Sequence, residues 1–182
     1  NVQLDGPSFL PIIASGESAW TIHSYYTDRK LKKNDSVIID MGVKYQGYCS
    51  DMTRTIFIGK PTAKKQKVYT IVAKSLKAAE EKIKSGIFNH SADKASRDII
   101  IKSGYGEYYS HGLGHSIGMD NHEAPYLSYV KKRQILEKNM LFTIEPGIYL
   151  KGEFGVRIED TVLVSKTGCE NITHFPKELL II

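Results

Sequence analysis

The chain has 182 residues, of which 41% are hydrophobic and 25% are charged, and its formal net charge is +5. Such a chain can bury one sizeable core but is short for two domains, and it has no run near the roughly 18 apolar residues that a membrane-spanning helix needs. Its lysines fall mostly in the short runs KLKK, AKKQK and VKKR, so we expect a solvated basic surface and no nucleic-acid partner.

The amino-terminal stretch NVQLDGPSFLPIIASG does not resemble a secretory signal, because it lacks a basic start followed by an apolar core. The chain begins without Met, which predicts a fragment or a processed protein. Cys49 and Cys169 are far apart in the sequence and indicate neither a disulfide framework nor a cysteine-type zinc site. A reducing, cytoplasmic setting is therefore expected.

The first predicted strand, around 36–41, carries Asp40 near its end, and a second strand-like run at 48–58 has Asp51 near its start. A buried carboxylate is destabilising unless it is paired, hydrogen-bonded or bound to a metal. If the two runs form a hairpin centred on 45–46, Asp40 and Asp51 face each other across it.

Two helices are predicted after these strands. Over 62–85 the apolar residues recur at helical spacing, with Pro61 at the start and Gly86 at the end. A second helix is predicted over about 91–102 and is ended by Gly104. With strands before and after the helix pair, the order is typical of an α+β fold.

The segment HGLGHSIGMDNHEAP, residues 111–125, follows the helices. Its histidines His111, His115 and His122 are half of the six in the chain. The glycines between them let the backbone approach another group closely. Two interpretations stand at this point, a Gly-rich surface loop with incidental histidines or a loop that supplies histidines to a site.

Further strands are predicted around 140–149 and 155–165, with a short one near the carboxyl terminus. If the two longer strands form a hairpin centred on Gly152, Glu145 faces Glu159. Like charges so close destabilise each other, so two acid pairs of this kind call for a cation between them. The alternative is that the acids are merely solvated at strand ends, since a register inferred from sequence slips easily.

Four carboxylates and one imidazole would form an oxygen-rich site that suits Mn²⁺, Fe²⁺ or Co²⁺ better than a structural zinc. Two bridging carboxylates can hold two such ions about 3.5–4 Å apart. The spacing proposes the four acids but does not choose among the three clustered histidines.

Four segments, IIDMGVKYQGYCSDMTRT, HGLGHSIGMDNHEAP, FTIEPGIY and GVRIEDTVLV, follow one another in an order that resembles the pita-bread metallopeptidases. This family includes methionine aminopeptidases, Xaa-Pro aminopeptidases and Xaa-Pro dipeptidases. The resemblance implies a pseudo-symmetric, curved antiparallel sheet covered by helices. Only one helix pair is predicted here, so we expect residues 1–182 to be a single catalytic domain that lacks its amino-terminal helices, with a separate domain upstream.

The resemblance also implies a set of metal ligands. Asp40 would chelate one metal, and Asp51 and Glu159 would bridge both. His115 and Glu145 would complete the shell of the second metal. The cofactor would be two divalent ions, with Mn²⁺ favoured and Co²⁺, Fe²⁺ or Zn²⁺ as alternatives.

The implied reaction is hydrolysis of the peptide bond between an amino-terminal residue and a following proline. Glu145 would move a proton from water to the leaving nitrogen, and His122 would donate to the developing oxyanion. His23, in the segment SGESAWTIHSYYTDRKL, and His111 would position the peptide. Arg157 would support the site or meet the substrate carboxylate.

Two features favour proline peptidases over methionine aminopeptidases: the paired histidines of HGLGH, and Arg157 two positions before Glu159. Asn121 stands where the proline-peptidase signature usually has Ile or Val, which leaves the substrate subtype open. The alternatives are a methionine aminopeptidase and a non-catalytic pita-bread module that binds protein. None of the five ligand positions is missing, which favours an enzyme, and a homodimer is expected for the full-length protein.

Overall fold

The computed structural model describes residues 3–24 and 27–182. The strands before the helices are β1 (Gly6–Pro7), β2 (Ile12–Ser15), β3 (Ser36–Met41), β4 (Val43–Tyr45), β5 (Tyr48–Cys49) and β6 (Met52–Phe57). The helices are α1 (Ala63–Lys82) and α2 (Asn89–Lys102). The strands after them are β7 (Gly114–Ser116), β8 (Glu123–Leu127), β9 (Leu141–Ile144), β10 (Gly147–Leu150), β11 (Phe154–Arg157), β12 (Asp160–Val164), β13 (Cys169–Asn171) and β14 (Leu180–Ile181). Short 3₁₀ helices occupy Gly16–Trp20 and Gly106–Tyr108.

The two predicted helices are confirmed, with small shifts at their ends. Thr62 caps α1, because its side chain accepts a hydrogen bond from the Lys65 backbone N–H. The helix ends at Lys82, three residues before the predicted end, and α2 begins at 89 instead of 91. Gly104 follows α2 with a φ of 83°, the left-handed conformation that glycine adopts readily at a helix end.

The two largest sheets among the described residues have four and five strands. One sheet has the order β14, β6, β3, β2, and the other has the order β13, β12, β9, β7, β8. The largest cluster of buried apolar side chains joins α1 and α2 to β9, β10, β11 and β12. Among the described residues no helix is both long and apolar enough to cross a bilayer.

The first hairpin has a different register from the one predicted. Asp40 faces Thr53, not Asp51, because the turn lies at Gln46 and Gly47, one position later than expected. Both turn residues have positive φ, 49° and 81°, as a tight hairpin turn that matches the strand twist requires. The prediction was therefore wrong by two residues in pairing. Asp51 nevertheless stays on the face of Asp40, since a shift of two preserves the side of the sheet.

The second hairpin has the predicted register, with its turn at Gly152, which has a φ of 71°. The pairs on either side of the two glutamates are Gly147–Arg157 and Ile144–Asp160. Each long predicted strand is broken where its glutamate lies. There the Glu145 N–H donates to Leu113 O over 2.8 Å, and the Glu159 N–H donates to Thr53 O over 3.0 Å. These hydrogen bonds join the second hairpin to the first and to the segment that leads into β7.

Candidate metal and active site

The five predicted donors come from separate segments that converge. Asp40 lies on β3, Asp51 directly precedes β6, and His115 lies on β7. Glu145 and Glu159 lie at the breaks in the second hairpin. Four of these residues are buried, and the Glu145 side chain is 20% exposed. The fold therefore places four acids and one imidazole together in its interior.

The closest group of donors is Asp51, His115 and Glu159, whose ligand atoms all lie within 4.8 Å of one another. His115 Nε2 is 3.8 Å from Asp51 Oδ2 and 3.6 Å from Glu145 Oε1. Asp40 is held by Arg157, because its Oδ2 accepts a hydrogen bond of 2.6 Å from Arg157 Nη2.

Two oxygens in this cluster, Asp40 Oδ1 and Asp51 Oδ1, are buried and have no hydrogen-bond partner among the described residues. Buried polar atoms are rarely left so. Burial and, after it, the charges of Asp40 and Glu145 together raise the pKa of Asp51 to about 8, although a hydrogen bond from Asn121 and the charge of Arg157 act in the opposite direction. Burial, together with the charge of Asp51, also raises the pKa of Glu159 well above its ordinary value. Carboxylates held in this way fit a divalent metal ion, which would supply the missing positive charge.

His115 is held in the form that can bind a metal. Its Nδ1 lies 3.0 Å from the carbonyl oxygen of Ser116, which can only accept, so Nδ1 carries the proton and Nε2 keeps its lone pair. Burial lowers the pKa of His115 to about 4, so the ring is neutral at pH 7. The nitrogen that points at the acids is thus a ready donor, with the other ring nitrogen fixed by the backbone.

Gly114 allows β7 to pack closely against β9, and this packing brings His115 close to the acids. A Cβ added at Gly114 would lie 2.0 Å from the carbonyl oxygen of Thr143 on β9, so only glycine fits there. The hydroxyl of Thr143 in turn accepts a hydrogen bond of 3.1 Å from the His115 backbone N–H. The sequence pattern predicts a loop here, whereas the structure has the strand β7.

Arg157 and Thr53 link the acids of the two hairpins. The Thr53 hydroxyl donates to Glu159 Oε2 over 2.6 Å and accepts from Arg157 Nε over 3.2 Å. Arg157 is 1% exposed and makes the contact with Asp40 described above. Thr53 was not predicted as a site residue, although its position two after Asp51 on a strand places both on one face.

A second chain of hydrogen bonds runs from Arg157 to His111. Arg157 Nη1 donates to the hydroxyl of Tyr149 over 3.1 Å, and that hydroxyl lies 2.9 Å from His111 Nε2. His111 Nδ1 faces the carbonyl of Gly112 at 2.8 Å and must donate to it, so Nε2 accepts from Tyr149. Burial and the nearby Arg157 charge lower the pKa of His111 to about 3. Tyr149 was also missed from the sequence, and its place in FTIEPGIY was the available signal.

The remaining two predicted residues lie at the opening of the site. The ring of His122 is exposed, and its centroid is 4.3 Å from that of His115. His23 is exposed as well and lines the same cavity as the metal donors.

This cavity has a volume of about 550 Å³ and is the space in which all the predicted site residues meet. The acids and histidines line one part of it. Its other walls are largely apolar and include Phe9, Leu10, Ile12, Ile22, Tyr126 and Tyr129. A cavity that has mostly apolar walls and a few polar side chains is the usual form of a binding site for a small molecule.

Comparison with known proteins identifies the family of this chain. Residues 2–166 match the model of metallopeptidase family M24. The chain belongs to metallopeptidase family M24. The family predicted from the sequence is thereby confirmed.

Relatives in family M24 include proteins named for two kinds of proline peptidase. A Xaa-Pro dipeptidase of Pyrococcus horikoshii is 43% identical over 174 residues, which cover 96% of this chain and 49% of that protein. An X-Pro aminopeptidase structure from Thermotoga maritima has a TM-score of 0.95 and 37% identity, over 98% of this chain and 51% of that one. A Xaa-Pro dipeptidase structure from Bacillus anthracis has a TM-score of 0.96 and 42% identity, over 98% and 50%. The predicted pita-bread fold is confirmed, and the chain spans about half the length of these relatives.

Proposed function

We propose that this chain is the catalytic part of a metal-dependent peptidase that cleaves between an amino-terminal residue and a following proline. The observation that carries the proposal is the convergence of Asp51, His115 and Glu159 within 4.8 Å, in the lining of a cavity of about 550 Å³. The names of its relatives in family M24 support proline specificity. Since they include both a dipeptidase and an aminopeptidase, either substrate length is compatible with the proposal.

The five donors are assigned as follows in the proposal. Asp40 would hold one divalent ion, Asp51 and Glu159 would be shared between two ions, and His115 and Glu145 would complete the set of ligands to the second ion. Mn²⁺ is the favoured ion because the set is rich in oxygen, with Co²⁺, Fe²⁺ and Zn²⁺ as alternatives. Bound ions of this kind supply Lewis acidity and lower the pKa of water.

Glu145 and His122 carry the proton transfer and the charge stabilisation in this proposal. Glu145 takes a proton from the attacking water and passes it to the proline nitrogen as that nitrogen leaves. Its partial exposure into the cavity suits a group that exchanges protons with substrate. His122 lies beside His115 at the opening and donates to the oxyanion as it forms.

His111, His23 and Arg157 position the peptide and the acids. His111 is neutral and fixed by Tyr149, so its ring is a rigid contact surface for substrate. His23 lies across the same cavity. Arg157 braces the acids, because its guanidinium is already engaged by Asp40 and Tyr149.

Two alternatives are kept. A methionine aminopeptidase would use the same acids with a different pocket, and the names of the relatives disfavour it. A non-catalytic protein-binding module would not need all five donors and the neutral, lone-pair-bearing His115. The cytoplasmic setting, the homodimer, the absence of a nucleic-acid partner and the division into one catalytic domain with a further domain upstream remain predictions.

The test is hydrolysis of Ala-Pro and Ala-Pro-Ala by the full-length protein after removal of metal and reconstitution with Mn²⁺, beside Met-Ala-Ala. Cleavage of the proline peptides, lost with chelator and restored by metal, is the expected result. Preference for Met-Ala-Ala would favour the methionine aminopeptidase. A metal-loaded protein that cleaves none of the three would favour the binding module.

A further inference from the structure

A buried ion pair on α2 contacts the walls of the cavity from behind. Arg97 and Asp93 form a two-pronged pair, with Arg97 Nε 2.9 Å from Asp93 Oδ2 and Nη2 3.0 Å from Oδ1. The Asp93 side chain is fully buried and that of Arg97 is 13% exposed. Neither residue lines the cavity.

The pair holds the backbone that leads to the predicted histidines. Arg97 Nη1 donates to the carbonyl of Tyr109 over 2.9 Å, and Nη2 donates to that of His111 over 2.6 Å. Asp93 accepts from the Leu113 N–H over 2.9 Å. Three backbone groups in five residues are thus fixed by one pair.

The guanidinium of Arg97 also supports an aromatic wall. Its central carbon lies 4.1 Å from the ring centroid of Tyr109 and 4.5 Å from that of Tyr129. Tyr129 lines the cavity and is 56% exposed, so its own burial does little to fix its ring. A cation against the face of a tyrosine ring is attractive and restricts where the ring can lie.

The segment that carries Tyr129 has further ties to the same helix. His90 Nε2 lies 2.8 Å from the carbonyl of Lys131, and Asn89 donates to the carbonyl of Lys132 over 3.0 Å. The start of α2 therefore fixes the far end of 128–133, while Arg97 fixes the side chain that faces the cavity.

We propose that Arg97 is a positioning residue for substrate binding, which holds Tyr129 as a wall of the cavity and His111 at its correct depth. The inference rests on the proposed peptidase function. Arg97 does not touch substrate or metal donors; it acts through Tyr129 and the backbone of His111. It should therefore govern KM for the peptide more than turnover or metal content.

The experiment is a double-mutant cycle in the full-length, Mn²⁺-loaded protein with Ala-Pro and Ala-Pro-Ala as substrates. Arg97→Lys keeps the charge beside Asp93 but loses the planar fork that reaches both carbonyls and the ring. Tyr129→Ala removes the wall, and Tyr129→Phe keeps the ring. Lys94→Ala is the matched control, since it removes an exposed charge of α2 that pairs with Asp98.

We expect Arg97→Lys and Tyr129→Ala each to raise KM roughly tenfold, with kcat within about twofold and metal content unchanged. The effect on KM in the double variant should be smaller than the product of the two single effects, because loss of the Tyr129 wall is common to both changes. Lys94→Ala should behave like the wild type, and Tyr129→Phe should raise KM less than Tyr129→Ala does, because it keeps the ring. Multiplicative effects in the double variant, an unchanged KM in Arg97→Lys, or a loss of metal there would each overturn the inference.

Failure of the proposed function has a different signature, namely no cleavage of proline peptides by the wild-type protein. In that case amide hydrogen exchange tests whether Arg97 positions these segments. Faster exchange confined to 128–133 and 109–113 in Arg97→Lys, but absent in Lys94→Ala, supports the positioning role. Unchanged exchange in those segments overturns it.

Discussion

Each guanidinium nitrogen of Arg157 donates a hydrogen bond to a neighbouring group. Its Nε donates to Thr53, its Nη1 to Tyr149 and the carbonyl of Ile22, and its Nη2 to Asp40. A guanidinium grips a carboxylate best with two adjacent donors free in one plane. With these donors engaged, gripping the end of a substrate would require breaking contacts to the acid cluster. The geometry favours the bracing role over the substrate-binding role.

The variant Arg157→Lys tests this choice. A lysine has one point charge and cannot reach Thr53, Tyr149 and Asp40 together, so we expect cleavage of Ala-Pro and Ala-Pro-Ala to fall alike, and metal affinity to fall too. Steady-state kinetics on both peptides and a metal titration measure this. Arg29→Lys, at an arginine paired with Asp35 outside the cavity, is the control. A loss much greater for the dipeptide would show that Arg157 binds the substrate carboxylate instead.

His115 and His122 lie side by side but are assigned different tasks. His115→Ala removes a donor that faces Asp51 and Glu145, so metal content and turnover should both fall. His122→Ala should keep the metals and lower kcat by about a hundredfold or more, the usual effect of losing an oxyanion donor. Elemental analysis and kinetics measure the two effects. His174→Ala, at an exposed histidine outside the cavity, should change neither. Equal loss of metal in both site variants would refute the division of roles.

At the scale of elements, the site depends on how closely strands approach one another. The backbones of β7 and β9 meet at Gly114, where a methyl group would collide with Thr143 O. Gly114→Ala should therefore push His115 away from the acids, weaken metal binding and cost about 1–3 kcal/mol of folding stability. Metal titration and denaturant unfolding measure both. Gly168→Ala is the matched control, since a Cβ there would meet open space. Unchanged metal affinity in Gly114→Ala would show that β7 can yield without moving His115.

The two hairpins are clamped together from the face opposite to the metal donors. Arg54 pairs with Asp160 over 2.7 Å and donates to the carbonyls of Thr53 and Glu159. Both side chains of the pair are nearly or fully buried, at 4% and 0% exposure. Arg54→Met leaves Asp160 with less compensation for its charge, so we expect a loss of about 3–5 kcal/mol in unfolding free energy.

An exposed pair provides the comparison for Arg54. Lys64 and Glu153 are 2.6 Å apart, but both side chains are about half exposed. Lys64→Met should change stability by no more than about 1 kcal/mol, because solvent screens such pairs. Denaturant unfolding measures both variants. Similar small losses in the two would show that Lys177, which also contacts Asp160, suffices to balance its charge.

The parts of the fold that sequence reasoning predicted are those set by local chemistry. The periodicity of α1, its Thr62 cap and Gly104 after α2 gave the helices, and Gly152 gave the second register. The first register failed because it was centred one position before the turn at 46–47. The strand β7 was missed because three residues containing a glycine show no alternation.

Site residues were predictable to a different degree. The four acids could be predicted because they lie at strand ends and on one face of each predicted hairpin. The choice of His115 among the clustered histidines depended on the family resemblance. Thr53 and Tyr149 act through contacts made by the folded chain, such as the bond from Thr53 to Glu159, 106 residues away. Their positions, two after Asp51 for Thr53 and within FTIEPGIY for Tyr149, point to the site but not to these partners. Polar contacts between residues so far apart in the sequence can be identified only when the arrangement of the strands is known.

For the whole molecule, the buried acids of the site should make the free energy of unfolding depend on both pH and bound metal. In the metal-free chain burial raises the pKa of Asp51 to about 8 and those of Glu145 and Glu159 well above their ordinary values. Above the ordinary pKa of a carboxyl group, the folded state therefore still holds protons that the unfolded state has released. The contribution of these acids to folding stability is full at low pH and is lost as the pH rises through their pKa values in the folded state. His111 and His115 act oppositely, because burial lowers their pKa values to about 3 and 4. Their effect ends above about pH 6.5, where the unfolded histidines are neutral as well.

Between about pH 6.5 and 8, therefore, the carboxyl groups alone should set the slope for this site. The unfolding free energy of the metal-free protein should fall as the pH rises, by about 1.4 kcal/mol per pH unit for each proton that the folded state holds in excess. Asp51→Asn should flatten this slope, since it removes a group that titrates in the window. Saturating Mn²⁺ should abolish or reverse it, because the bound metal favours ionised carboxylates and binds more tightly as the pH rises. Denaturant unfolding with EDTA and with Mn²⁺ measures all three. A metal-free protein that gains stability over this range would show that the acids are ionised without a metal, and that another charge, with Arg157 foremost, balances them.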